Sequence, residues 1–235
     1  VKSSDDAEKL YFIGVNPDKV KIIGDVKIDA LLLRQNKVNT EKLRARLQIK
    51  KGEPCFIAGS THGGEETGGL EAFELVKGKG PLAKLVLGPK HTERARGGCS
   101  LAGPKHEVSL VSEIKQGWDV LVVDEVGLLF ELYSLATGAF VGGSLIPKGG
   151  QNVLEPACFG VPIAFGPYME DFSLPATELQ RLGVAKVVEN GQDLANVWLG
   201  ALNIKAELKK KAVEYVKSLG GASKLAWNEV ASCLR

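Results

Sequence analysis

The chain has 235 residues, with 30 Lys and Arg against 28 Asp and Glu, so its formal net charge is +2. This near balance excludes a general electrostatic attraction to nucleic acid or to an anionic membrane, so any anion site must be local. Hydrophobic residues make up 44% and charged residues 25% of the chain, which is typical of a folded soluble protein. The length fits one large domain or two small ones.

Cysteines, histidines and apolar runs narrow the class of protein further. The four cysteines are far apart and form no CxxC pair, which favours buried thiols in a reducing compartment over a disulfide or zinc framework. His62, His91 and His106 share no metal-binding spacing. No apolar run reaches the roughly 18 residues that span a bilayer, and the polar start is unlike a signal peptide. We expect a soluble, cytoplasmic chain with no metal or other cofactor.

Short runs rich in Val, Ile and Leu alternate with helical patterns along most of the chain. The predicted strands lie at 19–26, 55–60, 82–89, 108–111, 118–125, 138–144, 162–167 and 185–190. The predicted helices lie at 40–47, 65–77, 127–137, 152–160, 173–182 and 192–203. Because the apolar residues run together instead of alternating, the strands are expected to be buried on both faces. We therefore predict an α/β fold with a Rossmann-like, doubly wound parallel sheet.

The alternation of strands and helices ends near residue 203. We predict one α/β domain over residues 1–203, followed by carboxyl-terminal helices over 204–235. The first of them, 204–219, has a lysine-rich face that is expected to be solvated. The second, 222–234, either packs on the α/β domain or reaches toward another domain, and both placements stay open.

Three glycine-rich loops each leave the end of a predicted strand. They span residues 59–64, 88–91 and 142–150. Such loops let backbone N–H groups approach an anion at the positive end of a following helix. The chain has no GxxxxGK[ST] and no GxGxxG motif, which argues against ATP and NAD. Lys90, His91 and Arg94 add positive charge after one strand, so the loops favour a phosphate-bearing ligand. The GPKH run of this loop occurs again at 103–106, and the sequence leaves open which of the two runs binds a ligand.

The segment "GGSLIPKGGQNVLEPA" at 142–157 has two interpretations. Asn152 as a helix N-cap with Glu155 three residues later is the pattern of a capping box, and Pro156 is tolerated in a first turn. A cap of this kind does not need the four preceding glycines. The glycines therefore favour a loop that a ligand approaches, whereas Asn152 and Glu155 fit a cap or a ligand contact equally well.

Five segments together resemble the Kdo transferases, which pass 3-deoxy-manno-octulosonate (Kdo) from its CMP-activated form to a lipid A precursor. They are "GDVKID" at 24–29, "GSTHGGEE" at 59–66, "GPKHTER" at 88–94, "FVGGSLIPKGGQNVLEPACFGVPIAFGP" at 140–167 and "MEDF" at 169–172. The motifs follow the family's order and span residues 1 to about 190. The resemblance implies the carboxyl-terminal half of an inverting, metal-independent glycosyltransferase of the two-domain GT-B architecture.

The resemblance also implies where the substrates lie. Residues 1–203 would bind the donor CMP-Kdo, whereas the catalytic base, the lipid A precursor and any membrane anchor would belong to the family's amino-terminal half. Such an enzyme works at the cytoplasmic face of the inner membrane and has no nucleic acid partner. The implied donor-binding residues are Ser60, Thr61, Lys90, His91, Arg94, Gly127, Gly142, Gly143, Ser144, Gly149, Gly150, Asn152 and Glu155.

These residues have distinct implied roles. Ser60 and Thr61 would lie near the phosphate or the sugar, and Lys90 and His91 would help to hold the nucleotide. The glycine-rich loop with Ser144 and Asn152 would cover the donor phosphate. Glu155 would accept hydrogen bonds from the ribose hydroxyls, as an acidic residue does in other nucleotide-binding folds.

The chain departs from the family's motifs at three positions. Lys90 stands where the family has Arg, Gln151 where His is common, and Leu128 where Glu is usual. Two alternatives therefore accompany the main hypothesis. One is a GT-B-like enzyme that uses a UDP-sugar, either a transferase or an epimerase, and the other is a nucleotide-binding module that has lost activity.

Overall fold

The computed structural model describes residues 1–234, apart from the side chain of Cys233. The chain divides into two compact units. The first comprises residues 1–37 with the carboxyl-terminal segment from 214, and the second comprises residues 38–213. The sequence patterns place a boundary at residue 203 instead, and the functional division at that residue stays a prediction.

The second unit contains a seven-stranded sheet. Its strands are β1 (Cys55–Thr61), β2 (Lys84–Pro89), β3 (Val108–Leu110), β4 (Val120–Val122), β5 (Gly138–Val141), β6 (Ile163–Phe165) and β7 (Ala185–Val187). Their order across the sheet is β3-β4-β2-β1-β5-β6-β7, and every neighbouring pair is parallel. The predicted α/β fold with a doubly wound parallel sheet is confirmed.

The described helices surround this sheet or form the first unit. They are α1 (Ser4–Phe12), α2 (Val26–Gln35), α3 (Thr40–Arg46), α4 (Glu65–Lys77), α5 (Ala95–Ala102), α6 (Leu129–Leu132), α7 (Leu154–Cys158), α8 (Ser173–Arg181), α9 (Gly191–Ala201), α10 (Ala206–Ser218) and α11 (Ala222–Cys233). The helix α4 has the predicted bounds, and α3, α8, α9, α10 and α11 lie within two residues of theirs. Helix α10 runs across the boundary between the two units.

The strands are buried on both faces, as their continuous apolar runs predict. Successive side chains of a strand point to opposite faces of the sheet. In β1, Phe56 and Ala58 pack in one hydrophobic cluster with α4 and α9, whereas Cys55 and Ile57 pack in another on the opposite face. Both faces of β1 are therefore core, which is why polar residues are absent from the strand until its carboxyl end.

Three sequence predictions of secondary structure need correction. The predicted strand at 19–26 is wrong, because residues 20–25 form no regular structure and Asp25 caps the helix α2 by accepting a hydrogen bond from the N–H of Lys27 at 2.9 Å. The predicted helix at 127–137 is reduced to α6 and a 3-10 turn, Tyr133–Leu135. The sequence patterns predicted no helix at α1, α2 or α5. In α5, Gly97 and Gly98 have low helix propensity and obscure its pattern.

A carboxylate joins the two ends of the chain within the first unit. Asp29 on α2 accepts hydrogen bonds from the N–H groups of Gly221 and Ser223, each at 2.6 Å. These N–H groups lie at the start of α11, where a helix leaves its first donors without partners. Asp29 therefore caps a helix that begins nearly two hundred residues later in the sequence.

Two further sequence predictions concern buried free thiols and the lack of an apolar run that spans a bilayer. Cys55 and Cys158 are buried, Cys99 is half-buried, and none of these three is in a disulfide. Burial raises the pKa of the Cys55 and Cys158 thiols to about 12. The fourth cysteine side chain, on Cys233, falls outside the described residues. Among the described residues, every helix is too short or too polar to cross a bilayer.

Candidate functional site

The strand order reverses between β1 and β5. On one side of β1 lie β2, β4 and β3, and on the other side the chain continues outward through β5, β6 and β7. Loops that leave adjacent strands in opposite directions open a crevice at their carboxyl ends, and ligands of such sheets bind there. The predicted loops after β1, β2 and β5 all reach this edge of the sheet.

Ser60 is displaced from regular strand geometry at the crevice. The pairing of β1 with β2 is regular up to Gly59 and Gly88, and it shifts before Thr61 pairs with Pro89. Ser60 is the extra residue of this bulge, and its φ is +54°. Residues other than glycine seldom adopt a positive φ, and bulges of this kind often direct a side chain at a functional site. The bulge leaves Ser60 partly exposed beside two strand ends.

A cavity of about 330 Å³ lies at these strand ends. Of the predicted donor-binding residues, it brings together four at its wall. They are Ser60, Lys90, His91 and Gly127. The side chain of His91 is exposed, and its Nδ1 lies 3.8 Å from a carboxylate oxygen of Glu93. The cavity therefore offers a hydroxyl, an ammonium group and an imidazole to one small ligand.

A larger cavity, of about 770 Å³, lies at the opposite edge of the sheet. Its wall includes Glu53 before β1, Lys84 at the start of β2 and Trp118 before β4. Its charges are mixed, because Arg44 and Lys50 face the same space as Glu41 and Glu53. Size alone does not locate the functional site, since ligands of doubly wound sheets bind at the carboxyl ends of the strands.

Glu65 connects the two loops of the crevice. Its side chain is 1% exposed, and its carboxylate accepts four backbone hydrogen bonds. The donors are the N–H groups of His62 at 2.8 Å, Gly143 at 2.7 Å, Ser144 at 3.0 Å and Leu145 at 3.0 Å. Three consecutive N–H groups after β5 form an anion-binding concavity. The protein's own carboxylate occupies it.

Glu66 holds Arg94 in an internal ion pair. The guanidinium Nη1 lies 3.0 Å from Oε1 of Glu66 and donates to the carbonyl oxygen of Thr61 at 3.3 Å. The hydroxyl of Thr61 is fully buried and donates to the same carboxylate oxygen at 3.0 Å. The structure thus gives Thr61 and Arg94 internal partners, and their direct contact with a donor stays a prediction.

Ser144 also has an internal role. It is fully buried, its hydroxyl donates to the carbonyl oxygen of Val141 at 2.5 Å, and it accepts from the N–H of Gly166 at 2.8 Å. The N–H of Tyr168 donates to the backbone oxygen of Ser144 at 2.9 Å. Ser144 therefore joins the end of β5 to the segment after β6, and its contact with a donor stays a prediction.

The glycines of the loop after β5 meet close neighbours. A Cβ on Gly142 would lie 2.5 Å from the backbone oxygen of Ser60, which cannot move aside as a side chain would. Gly150 has a φ of +78°, and a Cβ on it would lie 2.4 Å from the sulfur of Met169. Gly143 and Gly149 also have a positive φ. Packing alone thus explains why this loop is rich in glycine, independently of any ligand.

Lys90 and Gln151 meet above the carboxyl end of β1. The ammonium Nζ of Lys90 donates to Oε1 of Gln151 at 2.7 Å. A Cβ on Gly143 would lie 3.4 Å from the amide nitrogen of Gln151, so the side chain of Gln151 lies against this glycine. The loops after β2 and β5 therefore touch across the intervening strand.

His62 lies against the same glycine, because a Cβ on Gly143 would lie 3.5 Å from Cδ2 of its ring. Its ring is 6.2 Å from that of His91, edge to face, and its Nε2 is buried without a hydrogen-bond partner. Burial lowers the pKa of His62 below the usual 6.5, Glu65 opposes that shift, and positive charge on His91, Lys148 and Arg94 adds to it. These effects together favour the neutral form of the His62 imidazole.

Asn152 caps the short helix α7 from one residue further back than a regular N-cap. Its Oδ1 accepts from the N–H of Leu154 at 3.1 Å, and Val153 occupies the N-cap position. Glu155 is half-buried in the first turn, and its charge adds to the burial that raises the pKa of Tyr133 above its usual range. A Cβ on Gly59 would meet the Tyr133 hydroxyl at 2.0 Å. The charge of Glu155 thus acts on Tyr133, whose hydroxyl lies against Gly59 near the end of β1.

The second GPKH run ends away from the crevice. The Nε2 of His106 lies 3.0 Å from Oε1 of Glu74 on α4, and the imidazole tilts against Phe73. It is therefore the first copy that reaches the strand ends. Across the part of the chain that the structure describes, no three His, Cys, Asp or Glu side chains cluster so that they could hold a metal ion. Function without a metal stays a prediction.

Four residues that shape this site have no role assigned by the sequence motifs. They are His62, Glu65, Glu66 and Gln151, the last of which is marked there only as a departure from the family. The two glutamates are in the quoted motif at 59–66, and their spacing resembles an ordinary acidic first turn of a helix. A carboxylate that is 1% exposed behind a glycine-rich turn is detectable only from the tertiary structure.

Comparison with solved structures places the fold in a known class. The chain superposes on the C-terminal CMP-Kdo binding domain of WaaA from Acinetobacter baumannii with a TM-score of 0.67 at 24% identity, covering 81% of this chain and 97% of that domain. It superposes on UDP-GlcNAc 2-epimerase from Neisseria meningitidis with a TM-score of 0.64 at 19% identity, covering 98% of this chain and 59% of the epimerase. The fold is that of the carboxyl-terminal domain of a GT-B glycosyltransferase.

Sequence comparison identifies the family. No protein-family model matches the chain. A 3-deoxy-D-manno-octulosonic acid transferase of Aquifex aeolicus is 36% identical over 159 residues, which is 68% of this chain and 44% of that protein. The enzyme of the same name from Haemophilus influenzae is 32% identical over 169 residues, which is 68% of this chain and 38% of that protein. The chain belongs to the 3-deoxy-D-manno-octulosonic acid (Kdo) transferase family, and it spans less than half the length of these two relatives.

Proposed function

We propose that this chain binds CMP-Kdo at the carboxyl ends of β1, β2 and β5 and serves as the donor-binding part of a Kdo transferase. The observation that carries the proposal is the meeting of Ser60, Lys90 and His91 at the wall of one cavity beside the strand-order reversal. Membership of the Kdo transferase family supports CMP-Kdo over other phosphate-bearing ligands.

The local charge supports a donor with an anionic leaving group. Lys90 and His91 line the cavity together with Glu93 and Glu125, and Lys148 adds positive charge near His62. Fixed positive groups stabilise charge that develops in a transition state more effectively than water does. In the proposed reaction, this charge accumulates on the phosphate of the departing CMP.

The proposed reaction is an inverting transfer to a lipid A precursor. An acceptor hydroxyl oxygen forms a bond with the anomeric carbon of Kdo, and the bond from that carbon to the phosphate oxygen breaks. The electron pair of the broken bond leaves with CMP, and the hydroxyl proton passes to a base outside this chain. The residues of this chain bind the nucleotide and stabilise the leaving group, and the proposal requires no metal. It places the reaction at the cytoplasmic face of the inner membrane.

Titration calorimetry tests the donor assignment. The purified chain is titrated with CMP, CDP, UMP and UDP at low ionic strength. We expect CMP to bind most tightly of the four nucleotides. Preference for UDP would instead indicate a UDP-sugar enzyme, and the absence of binding by all four at millimolar concentration would overturn the proposed function.

Two measurements on one variant test Glu155. If Glu155 accepts hydrogen bonds from the ribose, Glu155→Ala abolishes CMP binding and leaves the melting temperature nearly unchanged. If Glu155 acts only within the first turn of α7, the variant loses roughly 1 kcal/mol of stability and binds CMP normally.

Transfer is then assayed as CMP release from CMP-Kdo, with this chain joined to the amino-terminal part of the Aquifex aeolicus relative.

A further inference from the structure

We propose that Glu65 is a positioning residue of the donor site, which fixes the loop after β5 and leaves the donor phosphate to Ser60, Lys90 and His91. This inference rests on the proposed function, because it assigns subsites within the same crevice. It concerns a residue whose side chain is 1% exposed and is therefore closed off from the crevice.

The anion-binding concavity after β5 is already filled. The N–H groups of Gly143, Ser144 and Leu145 donate to the Glu65 carboxylate at distances between 2.7 and 3.0 Å. A backbone N–H has one hydrogen to donate. A donor phosphate at these three groups would have to displace the carboxylate, and it would then lie beside a buried negative charge.

Glu65 holds both sides of the crevice. It is the first residue of α4, which follows β1, and its carboxylate also accepts from the N–H of His62 at 2.8 Å. The loop before α4 and the loop after β5 therefore share one anion. Hydrogen bonds to a charged group are stronger than those between neutral groups, so this buried carboxylate restrains both loops together.

The restraint that Glu65 imposes extends to Lys90. The carbonyl oxygen of Gly143 accepts from the N–H of Gly150 at 2.8 Å, which closes the loop on itself. Gln151 follows immediately and accepts from the Lys90 ammonium at 2.7 Å. The position of Gly143, set by Glu65, thus determines where Gln151 meets Lys90 at the mouth of the cavity.

The test compares Glu65→Gln with Glu71→Gln. Both variants change a carboxylate to an amide on α4, but Glu71 is exposed and serves as the matched control. In Glu65→Gln one acceptor oxygen becomes an NH₂ group that faces N–H donors, so at least two of the four hydrogen bonds are lost. If Glu65→Gln does not fold, Glu65→Asp is used in its place, because it keeps the negative charge on a shorter side chain.

Three measurements are made at a temperature at which every variant is folded. Amide hydrogen exchange reports on the N–H groups of residues 143–145, and calorimetry gives the affinities for CMP and for cytidine. For Glu65→Gln we expect these amides to exchange at least about tenfold faster and CMP to bind about tenfold more weakly, because small displacements of a site reduce its function strongly. Cytidine affinity should stay at the wild-type value, because Glu65 acts on the phosphate subsite through Gln151 and Lys90.

The outcomes separate this inference from the proposed function. Unchanged CMP affinity in folded Glu65→Gln would overturn the positioning role while leaving the donor site in place. An equal loss of cytidine affinity would overturn the phosphate assignment, because it would mean that Glu65 positions the subsite of the nucleoside and not Lys90. If the wild-type chain binds no cytidine nucleotide, the proposed function fails and the subsite assignment fails with it, whereas the exchange rates still report whether Glu65 holds the loop.

Discussion

The ammonium group of Lys90 lies 2.7 Å from Oε1 of Gln151. These are two of the three positions at which the chain departs from the motifs of its family, where Arg and His are usual. The structure places the two departures in contact, on loops that leave different strands. A lysine that donates to a neutral amide keeps its charge and has two further N–H groups to offer to a ligand.

We predict that Lys90→Arg increases the affinity for CMP by about threefold to tenfold, because a guanidinium presents several donors in a fixed plane and binds a phosphate through two hydrogen bonds. Lys90→Met should decrease it by about the same factor, since a charged hydrogen bond is lost. Calorimetry with CMP and with cytidine measures both effects, and cytidine affinity should not change. The exposed Lys79, replaced by Arg, is the control; an equal change in cytidine affinity would exclude a phosphate contact.

We predict that Gly142→Ala destabilises the protein by about 2 kcal/mol and abolishes CMP binding, because a Cβ would lie 2.5 Å from the backbone oxygen of Ser60. The comparison variant is Gly97→Ala, where no atom lies within 4 Å of the added carbon. That position is inside α5, so alanine should be neutral or stabilise the helix by up to about 1 kcal/mol. Urea unfolding measures both; equal effects would show that close packing at Gly142 is not decisive.

We predict that His62 titrates below pH 6.5 and that Glu65→Gln lowers its pKa further, because burial disfavours the imidazolium and the Glu65 carboxylate partly offsets that effect. Proton NMR of the ring protons measures both values. Between the folded and unfolded pKa values the unfolded chain binds more protons. This contribution to stability is therefore complete above pH 6.5 and is lost as the pH falls through the folded pKa. A pKa above 6.5 would contradict the predicted environment.

We predict that Asp29→Asn destabilises the first unit by about 1 kcal/mol near neutral pH, because an amide accepts only one of the two hydrogen bonds that cap α11. The N–H groups of Gly221 and Ser223 lower the pKa of Asp29 below the usual 3.8. The contribution of the charged carboxylate is therefore present above pH 3.8 and is lost as the pH falls through the folded pKa. Urea unfolding of both proteins from pH 2 to pH 7 should show the difference shrinking in acid; a constant difference would mean that charge is irrelevant to this cap.

The sequence predicted best the elements with a long and regular pattern of apolar residues. The strand β1 and the helix α4 follow from runs of residues whose burial leaves little choice of conformation. The segment at 19–26 failed because its apolar residues suggest a strand, whereas Asp25 ends an irregular stretch by capping α2. Local pattern does not reveal which of two such signals the surrounding structure supports.

For the donor site, the sequence by itself determined the class of fold, the family and the three loops that meet at the strand ends, because these depend on local patterns and on motif order. Only the tertiary structure decided which of the implied residues face the cavity. Ser60, Lys90 and His91 line it, whereas Thr61 and Ser144 are fully buried. The reason is that hydrogen bonds between distant segments, such as those from the loop after β5 to Glu65, assign each polar group its partner, and no spacing along a single chain specifies those partners.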